Sequence, residues 1–340
     1  FGFTHQVGLG QGFADLHARG QHEGVGDAAA HDQLVHVLRQ ALQDGQLGGH
    51  LGARHDGGQR ALRRSQRLGD GVDFSRQQRP RTSDGRELGD AVSRAFSPMG
   101  GAKPKALISI GGVPWVLKFF NNEPIDAPLV EHAAMTLAQK AGIRVASTRV
   151  IQLAGFHALA IRRFDRYQGG RVHCLSAGTA LRAAAPEGHE AQLSYPALAR
   201  LLKQDAKELF RRMVFNILMD NTDDHEKNHT LLVLQPFENS QIKLAPAYDL
   251  LPTNSGQGFQ EFICGVHGKD ATLVNAMSEC EAFGLSKAGA GKEVMRVIEV
   301  VNTWQAHFEA TGVSQSDIDS LAQQIDGEFL RSQRKGFKAS

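Results

Sequence analysis

The amino-acid sequence predicts an α+β protein, β-rich over residues 99–165 and mainly helical over residues 166–333. Three observations carry that prediction. From residue 99 to 165, short apolar runs are separated by Gly-containing turns, the signature of hairpins, with a single helix-period stretch among them. Beyond residue 176 apolar residues recur chiefly at helical spacing. Between an amphipathic helix and two short strands stands a polar run, Asn221-Thr222-Asp223-Asp224-His225-Glu226-Lys227-Asn228.

Residues 1–98 form a segment apart. Residues 1–100 contain no Lys, Ile, Asn, Tyr, Trp or Cys, while Gly, Gln, Arg and His recur. So little β-branched and aromatic material cannot offset chain entropy, and no packed domain is expected. Stretches 31–42 and 60–68 have helical character but narrow apolar faces, and His50 and His55 read as solvated. The chain begins with Phe1, and the expectation is a fragment, a disordered extension or a segment translated from another frame or start.

From Met99 the character changes. Gly100-Gly101-Ala102-Lys103-Pro104-Lys105 leads into a strand at 106–110, a Gly111-Gly112 turn and a second strand at 115–120. Glycines at such an entry let backbone N–H groups approach phosphates, although Gly-Gly before a strand is by itself an ordinary turn, and no Walker loop is present. The second strand carries Lys118 inside an apolar run. A helix over 128–141 follows, with Pro128 near its start, Gly142 at its end and Glu131 assigned to its first turn. A strand lysine followed by a helix glutamate is how kinases hold a lysine on the α- and β-phosphates; the plain alternatives are an outward edge lysine and a dipole-favoured carboxylate. Strands at 147–153 and 157–163, joined around Gly155, lead to Arg162-Arg163-Phe164-Asp165-Arg166 and a Gly169-Gly170 turn. Helices at 176–183 and 195–204 open the larger lobe.

The next helix, from Lys207, has Leu209, Phe210, Met213, Val214, Ile217 and Leu218 on one face. After the polar run come strands at 230–234 and 242–246, a turn at Phe237-Glu238-Asn239-Ser240, and one more carboxylate, Asp249. This plan can bring Asp223, Asn228 and Asp249 together. Phosphoryl transfer needs such a set, with Asp223 accepting a hydroxyl proton and Asn228 and Asp249 offering hard oxygens to Mg²⁺. Four residues separate Asp223 from Asn228, the spacing of a kinase catalytic loop. An Asp/Asn-rich loop at a helix end is also a common cap or turn, so the spacing alone does not decide. Past Pro252, Gly256, Gly258, Gly265 and Gly268 suggest a loop over the site. A helix through Val294, Val297, Ile298, Val301, Trp304 and Phe308 ends near Gly312, and Ser314 with Asp317 starts a last helix through Leu321, Ile325 and Phe329. Residues 334–340 form a basic tail expected in solvent.

A net charge of +2 implies no obligate polyanion partner. Cys174, Cys264 and Cys280 are too few and too far apart for a disulfide framework or zinc site. No apolar run is long enough to span a membrane, and the expectation is a cytoplasmic protein with no membrane partner.

In combination, residues 99 to about 330 resemble the HipA-like serine/threonine kinases, the toxin half of HipA/HipB modules. The resemblance rests on Gly100 to Lys105, Trp115-Val116-Leu117-Lys118, Leu129-Val130-Glu131-His132-Ala133-Ala134, Arg163-Phe164-Asp165-Arg166, Asn221 to Asn228, and Ala245-Pro246-Ala247-Tyr248-Asp249-Leu250. It implies a bilobed protein-kinase-like fold, ATP and Mg²⁺ as cofactors, and transfer of the γ-phosphate to a protein serine. Family targets include aminoacyl-tRNA synthetases. The usual partner is a small helix-turn-helix antitoxin, through which DNA is contacted indirectly. Carried over by residue, Asp223 is the catalytic base, Lys118 the phosphate-binding lysine with Glu131 as its partner, and Asn228 and Asp249 are the metal ligands. Gly100, Gly101, Ala102, Lys105, Arg163, Phe164 and His225 complete the nucleotide site, His225 by holding the loop. Such kinases begin with a β-rich subdomain that residues 1–98 do not resemble. Ser97, cut off from the Gly-Ala pair by Pro98 and Met99, fits the family's autophosphorylation position poorly.

Rival readings are a small-molecule phosphotransferase on the same scaffold, an inactive antitoxin-binding module, and a metal-dependent hydrolase using Asp223, Asp224, His225 and Asp249. The first usually has His-Gly-Asp where this chain has Asn221-Thr222-Asp223. The second predicts loss of Lys118, Asp223, Asn228 or Asp249, and all four are present. The third leaves Lys118 and Glu131 without roles.

Overall fold

The computed structural model describes residues 103, 105–120, 123–153, 156–167, 170–234 and 241–339. The segment 1–98, Ser97, the Gly100-Gly101-Ala102 entry, and the turns at 154–155 and 235–240 lie outside the described residues.

The small lobe is a four-stranded antiparallel sheet of order β1-β2-β4-β3, made of β1 (Lys105–Ile110), β2 (Val113–Lys118), β3 (Thr148–Leu153) and β4 (Phe156–Arg162). Gly111 and Gly112, at φ 58° and 75°, make the left-handed turn between β1 and β2. One helix, α1 (Ala127–Lys140), packs on the sheet. The Asp126 side chain caps it by accepting from the Leu129 N–H, and Gly142 at φ 82° ends it. Because the helix starts at Ala127, Glu131 falls in its second turn, not its first. The helix dipole therefore does not account for that carboxylate, which is wholly buried.

Residues 163–176 lead out of this sheet through a two-residue ribbon, β5 (Arg166–Tyr167) and β6 (Gly170–Arg171). Next comes β7 (His173–Ser176), which pairs with β8 (Thr230–Leu234); β8 pairs in turn with β9 (Gln241–Leu244). The sequence reading found β8 and, over 242–246, β9, but not β7, whose residues His173-Cys174-Leu175-Ser176 show no polar–apolar alternation. Around this second sheet stand α2 (Ala177–Ala184), α3 (Tyr195–Leu202), a 3₁₀ turn (Lys203–Asp205) and α4 (Ala206–Leu218).

The chain then runs irregularly to α5 (Leu273–Ser278) and a 3₁₀ turn (Cys280–Phe283), followed by α6 (Lys287–Val301), α7 (Trp304–Thr311), α8 (Gln315–Ile325) and α9 (Glu328–Gly336). Two long helices expected from the sequence are each broken in two, at Asn302–Thr303 and at Asp326–Gly327. The apolar period of the sequence continues across both breaks, which hides them: Val301 and Trp304 are both buried, but past the second break Phe329, four residues after Ile325, is exposed and Leu330 is buried in its place. The basic end is not wholly solvated. Arg334 is buried, donating to the Ile325 carbonyl at 2.6 Å and pairing with Asp326 at 2.6 Å, so it caps α8.

A single apolar core joins α1 to α3, α4, α6, α7 and α8. Helix α1 is thus clasped between the small-lobe sheet and the large lobe, with Thr136 bonded to His307 of α7 at 2.9 Å. A separate cluster around Ile108, Trp115, Leu117 and Phe119 lines the small-lobe sheet. Among the described residues no helix is long and apolar enough to cross a membrane.

Candidate active site

A cavity of about 290 Å³ opens between the two sheets. Its apolar walls are Val116 and Ile161 from the small lobe and Phe164, Cys174 and Tyr248 from the junction and large lobe. Phe164 and Tyr248 stack at 5.7 Å. The Tyr248 hydroxyl is fixed by Thr230 at 2.7 Å and the Lys227 carbonyl at 2.9 Å, and burial pushes its pKa up to about 12. Burial also raises the Cys174 thiol to about 11, so it stays protonated.

The polar end of the cavity holds Lys105, Lys118, Glu131 and Asp249. Strand β2 turns Lys118 inward, against the helix-facing side of the sheet. Its Nζ lies 2.6 Å from Glu131 Oε2 and 2.5 Å from Asp249 Oδ1, and 5.0 Å from the centre of the Phe120 ring. Burial alone would lower the Lys118 pKa, but the two carboxylates outweigh it and the net shift is upward. Glu131 is pushed up to about 7, chiefly by complete burial and against the pull of Lys118. Its Oε1 is buried with no partner.

Asp249 arrives at this lysine by an unusual backbone. It sits beyond β9 in the left-handed region, at φ 60°, where a side chain other than glycine's is uncommon. The approach to it is held by residues 144–146, which run alongside 245–247 through Ala146 N–H to Ala247 O at 2.9 Å and Ala247 N–H to Arg144 O at 2.7 Å. Arg212 on α4 secures that junction. Fully buried, it donates to the Ala245 carbonyl at 2.7 Å and pairs with Glu208 at 2.5 Å.

The loop after α4 starts at Asp220, also left-handed at φ 52°, whose carboxylate accepts the N–H groups of Ser255 and Gly256 at 2.9 and 3.1 Å. Asp223 is exposed. Asn228 donates its Nδ2 to the Asp223 carbonyl at 3.2 Å, which closes the loop on itself. His225 accepts from the Lys227 N–H at 3.3 Å and gives its carbonyl to the Asn228 N–H at 2.9 Å, a loop-bracing position. Asp223, His225 and Asn228 lie outside the cavity wall; Lys105, Lys118, Glu131, Arg163, Phe164 and Asp249 are in it. Arg163 is forked onto Asp165 at 2.8 and 2.5 Å, so its guanidinium is already engaged.

The Gly256–Gly268 stretch, expected to cover the site, contributes nothing to the cavity wall. It braces the loop from behind instead: the N–H groups of Glu261 and Phe262 donate to the carbonyls of Thr222 and Asp224 at 3.2 and 3.1 Å. Asp224 is buried and turned away from Asp223, and among the described residues no group of three His, Cys, Asp or Glu gathers as metal ligands.

Sequence reasoning missed Tyr195, Asn216 and Arg212, all buried at or behind the site. Arg212 and Asn216 are four apart and share the buried phase of Leu209 and Met213, so two polar residues on an apolar helix face were the available signal.

The sequence profile of the HipA-like C-terminal domain family matches residues 97–308. Among curated proteins, the putative kinase Y4dM of Sinorhizobium fredii is 28% identical over 193 residues, covering 52% of this chain and 44% of that protein. A putative kinase of Haemophilus influenzae is 29% identical over 139 residues, covering 36% and 40%. This chain thus spans less than half the length of those relatives. Among solved structures, a chain of the Shewanella oneidensis toxin–antitoxin complex of HipA, HipB and operator DNA superposes with a TM-score of 0.54 at 16% identity, covering 79% of this chain and 74% of that one. The Helicobacter pylori proinflammatory kinase CtkA gives 0.53 at 15% identity, covering 71% and 90%. The fold is the bilobed kinase-like one.

Proposed function

The chain belongs to the HipA-like C-terminal domain family, and from that premise we propose that it is an ATP- and Mg²⁺-dependent protein serine/threonine kinase. One observation carries the reading: Lys118 is shared by Glu131 and Asp249 at the polar end of an otherwise apolar cavity. A lysine sunk between two carboxylates needs a reason, because burying charge is costly. An anionic phosphate chain entering beside it supplies one.

In this reading the slot of Val116, Ile161, Phe164 and Tyr248 takes the flat base, and Lys118, oriented by Glu131, meets the phosphates. Mg²⁺ fits the donors present: Asp249 offers a part-exposed carboxylate, Asn228 a carboxamide oxygen, and a cation that keeps several waters needs few protein ligands. Bound there, it would neutralise charge on the phosphate oxygens. Asp223, exposed on its braced loop, orients the incoming hydroxyl and accepts its proton. Lys105 adds a second cation at the cavity. The Shewanella complex contains HipB and operator DNA, which supports an antitoxin as the partner of this chain, with DNA reached through it.

The test is transfer of labelled γ-phosphate from ATP to protein, with and without Mg²⁺, beside Asp223→Asn. Label that moves only with metal and intact Asp223 bears the proposal out. A folded protein that binds no nucleotide sinks it.

A further inference from the structure

Asp224 is a buried carboxylate that the proposed chemistry does not use. It is 1% exposed, although its neighbour Asp223 is exposed. It accepts the Tyr195 hydroxyl and lies 3.2 Å from His229 Nε2. Burial would raise its pKa, but those partners hold it below the usual carboxylate range. Tyr195 also accepts from Asn216 Nδ2 at 3.2 Å. Asn216 Oδ1 in turn accepts Asn221 Nδ2 at 3.1 Å, and the same amide reaches the Asp249 carbonyl at 3.4 Å. A continuous line of hydrogen bonds, buried except at its last link, therefore runs from the residue after Asp223 to the backbone of Asp249.

We propose that Tyr195, Asn216, Asn221 and Asp224 are positioning residues that fix the Asp223 loop and Asp249 relative to one another; the assignment rests on the kinase reading for its catalytic consequence. Three features support a coupling device over ordinary core. The line ties two segments that meet at the site, with Asn221 and Asp224 on either side of Asp223. Its two anchors, Tyr195 on α3 and Asn216 on α4, stand on rigid helices, and Tyr195 is wedged against the Phe262 ring at 4.9 Å and the His229 ring at 5.1 Å. It ends on a residue in a sparsely populated conformation, Asp249 at φ 60°, which persists only where its surroundings hold it.

Tyr195→Phe tests this in the full chain, because it removes one donor and one acceptor while leaving the ring packing in place. Hydrogen exchange should rise together in the peptides covering 220–229 and 247–251, and not in α1. In phosphate transfer, kcat should fall about tenfold with KM for ATP unchanged. Asp224→Asn, which keeps the shape and an acceptor for Tyr195, should lose less. If Tyr195→Phe does not fold, Asn221→Ala cuts the line at Asp249 and must raise exchange at 247–251 and lower kcat. Unchanged exchange at 247–251, or a rise in KM at constant kcat, overturns the proposal. Coupled exchange in a protein whose wild type transfers no phosphate leaves the coupling standing and removes the kinase reading alone.

Discussion

Lys118 Nζ stands 2.5 Å from Asp249 Oδ1, a residue 131 positions further along the chain. The same ammonium stands 2.6 Å from Glu131. One side chain on β2 therefore joins helix α1 of the small lobe to the segment beyond β9 of the large one. Asp249 reaches the cavity already paired, and any cation that it binds must share it with this lysine.

Replacing the lysine separates its two roles. Lys118→Met leaves Glu131, which is wholly buried, without its cation, so stability should fall, and further at pH 8 than at pH 5, where Glu131 keeps its proton. Urea unfolding measures that fall. Lys118→Met/Glu131→Leu, which replaces the pair by apolar groups, should regain most of the stability and none of the phosphate transfer.

The burial of Glu131 makes stability depend on pH. Its pKa is about 7 in the folded protein against 4.5 as the ordinary value, so between those values the folded chain keeps a proton that the unfolded chain has released. Stability from this group is full below pH 4.5 and is lost as pH rises through 7. The loss is on the order of 3 kcal/mol. Wild type should lose more stability than Glu131→Gln when both are unfolded in urea at pH 5 and at pH 8. Parallel losses would refute the shift.

Asp223 and Asp249 should fail differently. Asp223→Asn alters an exposed side chain, so melting should be unchanged and nucleotide binding kept, while transfer falls by roughly 10²- to 10⁴-fold. Asp249→Asn should instead weaken Mg²⁺-dependent nucleotide binding, read by titration with and without the metal.

Arg212 is a structural counterpart to these. Arg212→Met strands the Ala245 carbonyl and one contact of Glu208, and should cost about 3 kcal/mol, seen as a lower melting temperature. Arg331→Met, which breaks an exposed pair with Glu328 at 3.7 Å, should shift stability by less than about 0.5 kcal/mol.

Much of the fold was legible locally. Strand β8 begins and ends where the apolar run from Thr230 to Leu234 does, and the six apolar positions expected on one face of α4 are all buried, although burial there runs on through every residue from Arg212 to Leu218. Residues whose chemistry is conspicuous in the sequence, Lys118, Glu131 and Asp249, meet within hydrogen-bonding distance. The breaks after Val301 and Ile325 were not legible, because the apolar period continues through them. Neither was the role of the Gly256–Gly268 stretch, since glycine content shows where a chain can bend and not what it lies against.

By itself the sequence determined the order of the longer strands and helices, though not β5 to β7 or α5, and the residue types that can do phosphoryl chemistry, because period, turn residues and side-chain functional groups are local properties. Which of two adjacent aspartates faces solvent was decided only by tertiary structure. Asp224 turns inward because Tyr195 and His229, brought from α3 and from the edge of β8, satisfy its charge there, and Asp223 is left outside. The left-handed backbone at Asp249 has the same origin. No signal within its own segment requires it; the hold of Asn221 on its carbonyl and of Lys118 on its carboxylate exists only once the chain has folded.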